Sequence, residues 1–286
     1  MIKHSIEKRQ RWRKIHREEL NRAEAYLRER EKFCVSASAR FLKGMGKGHI
    51  WRLSGREGEI SALLLHSHLA LYPVFNKNSS VPGPRFLNRF LCKVPIHSLQ
   101  GLREDAEILE TLMEEQGYYA TDRIDYALMS MDSSPRPEAL KAGPAGLVLR
   151  APLPEDEEAV FALQSVYEQE EVLPKNAEFY APACRLNLQH ILSYEHVLVA
   201  ELDGQVVAKI NTSAESFTRY QIGGVYVRPD CRGMGICTRM TAVFAMELLE
   251  EGRGVTLFVK KRNKAAIQAY HKVGLTSLSD YRITYY

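Results

Sequence analysis

Apolar residues recur along this chain at spacings that predict a mixed α/β protein in two halves. Residues 3–32 are dense in Arg, Lys and Glu, with Trp12, Ile15, Tyr26 and Leu27 at helical spacings, which predicts one long, mostly solvated helix. Residues 49–53, 60–65 and 69–75 read as strands, the first two separated by the turn Gly55-Arg56-Glu57-Gly58. Pro82-Gly83-Pro84 breaks the chain before a short helix over 86–90. Leu102, Ala106, Leu109, Leu112 and Met113 recur three and four residues apart and place an apolar face on a helix over 102–116. Residues 118–131 supply the last strands of this half.

Ser133-Ser134-Pro135-Arg136-Pro137, continuing to Gly143-Pro144, has linker composition. Beyond it the elements are clearer. A short strand at 147–150 precedes Pro154-Glu155-Asp156-Glu157-Glu158, which opens a helix with acids where the helix dipole favours them. Asp203-Gly204 joins strands 196–202 and 205–211 as a two-residue hairpin. A strand at 223–227, a helix at 236–251, a strand at 256–259, a helix at 263–272 and a strand at 282–286 complete the chain. Strands and helices alternate only late, so a mixed sheet is expected rather than a fully parallel one. The resulting layout is a charged N-terminal helix (1–32), an α/β domain (33–132), a linker (133–145) and a second domain (146–286).

Composition changes this picture little. The 286 residues are 45% hydrophobic, enough for a sizeable core, and the net charge of +4 is mild. It suits a protein that handles an anionic ligand and does not call for nucleic acid. An RNA-directed activity would rest only on the basic N-terminus, whose field is diluted by Glu18, Glu19, Glu24 and Glu29. The five cysteines are scattered and lack zinc-site spacing. No signal h-region and no stretch of about 20 apolar residues occurs. The expectation is a reduced, cytoplasmic chain with no membrane partner and no metal; its oligomeric state is left open.

Chemistry concentrates in one turn. Val225-Tyr226-Val227-Arg228-Pro229-Asp230-Cys231 runs into Arg232-Gly233-Met234-Gly235-Ile236-Cys237, a strand stopped by proline and followed by glycines and a helix. Glycines permit positive φ and close backbone approach, and a helix start offers unpaired N–H groups and positive partial charge. Such a turn suits a diphosphate. It is neither a Walker loop nor the three-glycine dinucleotide pattern. On the residues alone it reads equally as a phosphate loop or a structural glycine turn.

A second motif begins about 30 residues later: Asn263-Lys264-Ala265-Ala266-Ile267-Gln268-Ala269-Tyr270-His271-Lys272-Val273-Gly274-Leu275. The two together, in this order, resemble the GNAT (GCN5-related) N-acetyltransferases over residues 146–286. The first half resembles a degenerate copy. The resemblance implies a GNAT-like acyl-CoA N-acyltransferase fold, as two tandem domains with a mixed α+β sheet. It implies acetyl-CoA as cosubstrate and a primary amine, on a small molecule or a peptide, as acceptor. Backbone groups of Gly233, Met234, Gly235, Ile236, Cys237 and Thr238, with Arg232, would hold the pyrophosphate. Tyr226 and Val227 would pair with the pantetheine arm, Asn263 would hydrogen-bond it, and Tyr270 would protonate the leaving thiolate. Cys237 and Leu275 depart from the usual Gly or Ala and Phe.

The general base is less determined. Glu168, Glu170 and Glu171 lie between the first helix and Pro174, where the resemblance implies the acceptor pocket, and Glu171 is the first choice, against a solvated acidic helix end. Glu215, beyond a core strand, and a water relay are the other candidates. Cys231 and Cys237 read as small packing residues rather than as a redox pair, and His190, His196 and His271 as structural or surface groups. The alternative to an enzyme is a non-catalytic CoA-binding or regulatory module acting through a protein partner.

Overall fold

The computed structural model describes residues 12–44, 50–54, 59–76, 82–175 and 177–286. The expectations for residues 3–11, for His49 and for the turn at 55–58 lie outside them. In chain order the first half holds β1 (Trp12–Lys14), α1 (Leu20–Arg30), α2 (Val35–Leu42), β2 (Ile50–Ser54), β3 (Ile60–Ser67), β4 (Ala70–Phe75), α3 (Pro84–Leu91), β5 (Ser98–Leu102), α4 (Arg103–Glu114) and β6 (Asp122–Met131). A short α5 (Pro137–Leu140) follows. The second half holds β7 (Val148–Arg150), α6 (Glu157–Tyr167), α7 (Ala181–Tyr194), β8 (Val197–Leu202), β9 (Gln205–Glu215), β10 (Arg219–Val227), α8 (Ile236–Glu250), β11 (Gly254–Lys260), α9 (Lys264–Val273) and β12 (Thr276–Tyr285). The two halves repeat one order: strand, two helices, three strands, helix, strand, helix, strand. The repeat lives in topology, and so it does not show as sequence periodicity.

Two compact units form, and they do not divide at the halves. One runs to Asp125 and takes back Asp280–Tyr286; the other is Tyr126–Ser279. Each half therefore gives the end of its last strand to the other's sheet. From Tyr126 on, β6 pairs antiparallel with β11, and from Tyr281 on, β12 pairs antiparallel with β5.

In the first unit the strand order is β1-β2-β3-β4-β5-β12, with β4 and β5 parallel and the other described pairs antiparallel. Leu87, Phe90, Leu91, Ala106, Leu109 and Met113 of α3 and α4 bury against Trp51, Leu64, Leu71 and Leu99. Arg282 makes a two-pronged bond to Asp125 (2.7 and 3.1 Å), and Thr284 donates to Glu110, so the returning strand end is tied down by charge as well as by its ladder. The expected helix over 3–32 is corrected: its described part is β1, a 3₁₀ turn and α1. Trp12 packs its ring on Phe75 and Phe86 (centroids 5.8 and 5.9 Å), and its strand pairs with β2. Partners so distant in sequence override the local helical charge pattern.

In the second unit the order is β6-β11-β10-β9-β8-β7, with β10 and β11 parallel. Ile236, Met240, Phe244, Ala245 and Leu248 of α8 supply the apolar stripe that packs on Ala208, Ile210, Ile222 and Leu257. Val160 and Leu188, from α6 and α7, cover Val199. Asp203 and Gly204 take φ of 51° and 74°, the positive values that a two-residue hairpin turn demands. The segment 133–145 carries α5, whose Ala139 is 3% exposed, and the Arg136 N–H donates to Val273 O at 2.9 Å. It packs as part of this unit's core. Among the described residues no helix is long and apolar enough to cross a membrane, and no cluster of three or more His, Cys, Asp or Glu is arranged to hold a metal. All five cysteines are free thiols.

Candidate functional site

The site starts from two strands that part company. The β10–β11 ladder runs from Arg219↔Gly254 to Ile222↔Leu257 and stops, although β10 continues to Val227 and β11 to Lys260. At the same point β10 carries one extra residue against β9, between the pairs Gly223↔Asn211 and Tyr226↔Lys209. Such a bulge bends a strand and sharpens its twist. Gly224 sits in it with φ of 60°, which a side chain tolerates poorly. A Cβ there would collide with Asn211 Oδ1 and lie 2.7 Å from Lys209 Nζ. Gly224→Ala is therefore expected to cost about 3 kcal/mol or more of stability. A urea titration with an unchanged midpoint would remove the steric account of this glycine.

The opening forms a cavity of about 410 Å³. Along its floor run Gly223 to Val227 on one strand and Leu257 to Lys260 on the other. At one end stands the loop into α8. Gly233 and Gly235 take φ of 80° and 85°, and Gly235 caps the helix. The first helical amide to reach a loop carbonyl is that of Arg239, on Gly235 O at 3.1 Å. The N–H groups of Met234, Gly235, Ile236, Cys237 and Thr238 find no acceptor among the described residues. A row of free amides at a helix start is an anion site in geometry and field. Gly235 has a packing duty too: a Cβ on it would lie 2.9 Å from the Gly143 backbone nitrogen, whereas Gly233 faces open space. Arg232 donates to Val227 O (3.0 Å) and to Glu170 (3.2 Å), and lies over the Tyr226 ring. In this state it holds the loop in shape.

Other sequence-selected residues divide clearly. Tyr226, Val227, Arg232, Gly233, Gly235, Ile236, Cys237, Thr238, Asn263, Glu171 and Tyr270 all line this one cavity. Met234 does not line it, and its side chain is exposed. Glu215 is not brought to this cavity: it ends β9 away from the lining and pairs with Arg253 at 2.9 Å. Alternation along a strand does not say which end of the sheet is open, so its position was not readable. Asn263 caps α9, accepting from Ala266 N (3.1 Å), and donates to Glu171 Oε1 at 3.3 Å. Glu171 also lies 3.5 Å from Lys260 Nζ. Tyr270 is 5% exposed, and among the described residues its hydroxyl has no hydrogen-bond partner. Burial first, then Cys237, Tyr167 and Glu171, holds that hydroxyl well above the ordinary tyrosine range. Burial likewise pushes the Cys237 thiol up to about 11, which suits packing rather than nucleophilic use.

Sequence reasoning missed several groups here. Glu168–Val172 forms a π-helical turn, a rare form often found at functional sites, and its Glu170 carbonyl accepts from Lys260 Nζ at 2.9 Å. Tyr167 meets the bulge from α6. Lys209 is buried on β9, where a lysine between apolar neighbours (Val206 to Ile210) gives no sign of its partners. The paired Gly223-Gly224 inside a strand was the one available signal. Burial lowers the Lys209 ammonium to about 7, with Glu168 and Cys184 opposing. The unfolded chain then binds more protons between that value and the usual lysine range. Stability contributed through this group rises as pH climbs from about 7 towards 10 and is lowest below 7, a span on the order of a few kcal/mol. Comparing melting at pH 7 and pH 9.5 in wild type and Lys209→Met tests this: the rise is expected only in wild type.

The family description "Acetyltransferase (GNAT) family" matches residues 159–275. No curated protein sequence matches the chain. Among solved structures, a GCN5-related N-acetyltransferase from Sphaerobacter thermophilus has a TM-score of 0.60 at 19% identity, covering 97% of this chain and 95% of that one. A tandem GNAT protein from the clavulanic acid biosynthesis pathway has a TM-score of 0.57 at 13% identity, covering 93% and 94%. A GCN5-related N-acetyltransferase from Kribbella flavida has a TM-score of 0.54 at 15% identity, covering 88% and 95%. At such identities the likeness is one of fold, and it extends over both halves of the chain, as the repeated element order requires. Residues 159–275 thus match the acetyltransferase (GNAT) family, which supports acyl transfer in general.

Proposed function

We propose that the second unit transfers an acetyl group from acetyl-CoA to a primary amine by direct attack in a ternary complex. The observation that carries this reading is the cavity itself: free helix-start amides at one end and the protonated Tyr270 hydroxyl share one space along a parted pair of strands. Acetyl-CoA would supply the acyl group as an activated thioester. The fit is favourable, because the amides of Gly235 to Thr238 are unpaired and Gly233 leaves open space beside them.

Arg232 adds positive charge at the loop, turning from Glu170 to a phosphate. Tyr226 and Val227 offer backbone edge to an extended arm, in the manner of an added strand. Asn263 keeps its oxygen on the helix cap and turns its amide N–H groups to the arm. Tyr270 stores a proton at Oη for the departing sulfur, since a buried phenol stays protonated at neutral pH. Glu171 takes the amine proton, directly or through a water, when its contacts with Lys260 and Asn263 loosen. No covalent nucleophile is needed.

Incubating the whole chain with acetyl-CoA and a panel of amines, amino-terminal peptides and lysine peptides tests this. Thiol release that depends on one amine class is expected. Tight acetyl-CoA binding with no acceptor-dependent release would favour a non-catalytic CoA-binding module instead.

A further inference from the structure

Gly224 has both of its backbone groups taken by side chains. Its N–H donates to Tyr167 Oη at 3.3 Å, and its carbonyl accepts from Lys209 Nζ at 2.9 Å. Lys209 also donates to Asn211 Oδ1 at 2.9 Å, and Asn211 in turn donates to Thr212 O at 2.7 Å. The Tyr167 ring centroid lies 5.2 Å from the ammonium. Lys209 is 1% exposed, and among the described residues it forms no ion pair. Burying an amine without a carboxylate is costly, and an apolar side chain of like size would fill the space more cheaply. Its position therefore needs a reason beyond packing. Its nitrogen touches the peptide group that joins Gly224 to Val225, both of which line the cavity, just past the last β10–β11 pair.

We propose that Lys209, with Tyr167 and Asn211, is a positioning residue that fixes the Gly224 bulge and so sets the strand edge along which the acyl thioester is aligned. This rests on the acyl-CoA reading of the cavity. Two physical effects support it. Hydrogen bonds on both sides of Gly224 hold a left-handed backbone state that the ladder alone does not hold. A hydrogen bond to the Gly224 carbonyl also polarises that peptide, making the Val225 N–H a stronger donor. Preorganised donors of this kind matter more to a developing oxyanion than to a ground-state ligand.

The experiment compares wild type, Lys209→Met, Lys209→Gln and Tyr167→Phe as full chains. Hydrogen exchange is followed across residues 219–227, with acetyl-CoA Kd and kcat for the best amine. In Lys209→Met, exchange at Gly224 and Val225 is expected to rise at least about tenfold. Its kcat is expected to fall about tenfold or more while Kd stays within about twofold. Lys209→Gln, which keeps a donor, is expected to recover part of both losses. Unchanged exchange at Gly224, or unchanged kcat, in a folded Lys209→Met overturns the proposal. Should that variant not fold, Tyr167→Phe decides: faster exchange at Gly224 with lowered kcat supports it, and neither change overturns it. Failure of the underlying reading looks different, because wild type itself would then bind no acetyl-CoA.

Discussion

Gly235→Glu is expected to weaken acetyl-CoA binding at least about 100-fold by titration calorimetry. Three effects add. The backbone at Gly235 has φ of 85°, which costs a side chain roughly 1 kcal/mol or more. A Cβ there meets the Gly143 nitrogen at 2.9 Å, so the loop must shift. The new carboxylate also takes the positive end of α8 that a phosphate would occupy. Packing and charge are separable with Gly233→Glu, because the Gly233 Cβ position is open. That variant brings the same charge to the same amides without the collision, and it should also lose binding while melting above Gly235→Glu, because its φ of 80° carries the backbone cost but no clash. If both variants fold and bind acetyl-CoA like wild type, the loop is a structural turn and not a diphosphate site.

Tyr270→Phe carries the second large effect. A drop in kcat of about 10²- to 10³-fold is expected, with acetyl-CoA Kd within about twofold. The hydroxyl is buried, raised well above the usual range and without a partner among the described residues, so it donates its proton only when a base appears in the cavity. The sign of the pH dependence follows. The phenol is protonated below its raised pKa, so its ionisation removes no activity between pH 6 and 9. Any alkaline fall caused by Tyr270 lies above about pH 10. Equal kcat in Tyr270→Phe and wild type would leave Tyr270 as a packing residue on α9. An alkaline limb that begins near pH 8 and vanishes in the variant would contradict the burial argument.

The first half bears on neither result directly. Its element order repeats that of the second half, but its helix after the third meander strand is capped by Gly83 with an ordinary φ of −70° and Pro84 at its first position. The two positive-φ glycines of the second half have no counterpart among its described residues between β4 and α3. Asp105 instead puts a carboxylate on Phe75 N at 3.1 Å, at the end of β4.

The sequence by itself determined what depends on neighbours along the chain. The hairpin at Asp203-Gly204, the glycine loop into α8, the capped α9 and the Asn263–Tyr270 spacing are short-range patterns, and each was legible as residue type at a fixed interval. Tertiary structure alone decided whatever depends on partners far away in sequence. The N-terminal charge pattern favoured one helix until Trp12 found Phe75 and β2. The helix α7 carries Leu186 and Tyr194 on its exposed side, so its periodicity was blurred. Residues 133–145 had linker composition, yet Gly143 and Ala139 pack within the second unit. The exchange of β6 and β12 could not be read at all, because strand pairing between residues such as Arg282 and Gly101 leaves no local trace. The same holds for the site. The loop and Tyr270 stood out by spacing, but Glu215 lay outside the cavity lining, and Lys209 touches that lining only through the Gly224 carbonyl, because burial and bulge register are properties of the folded sheet.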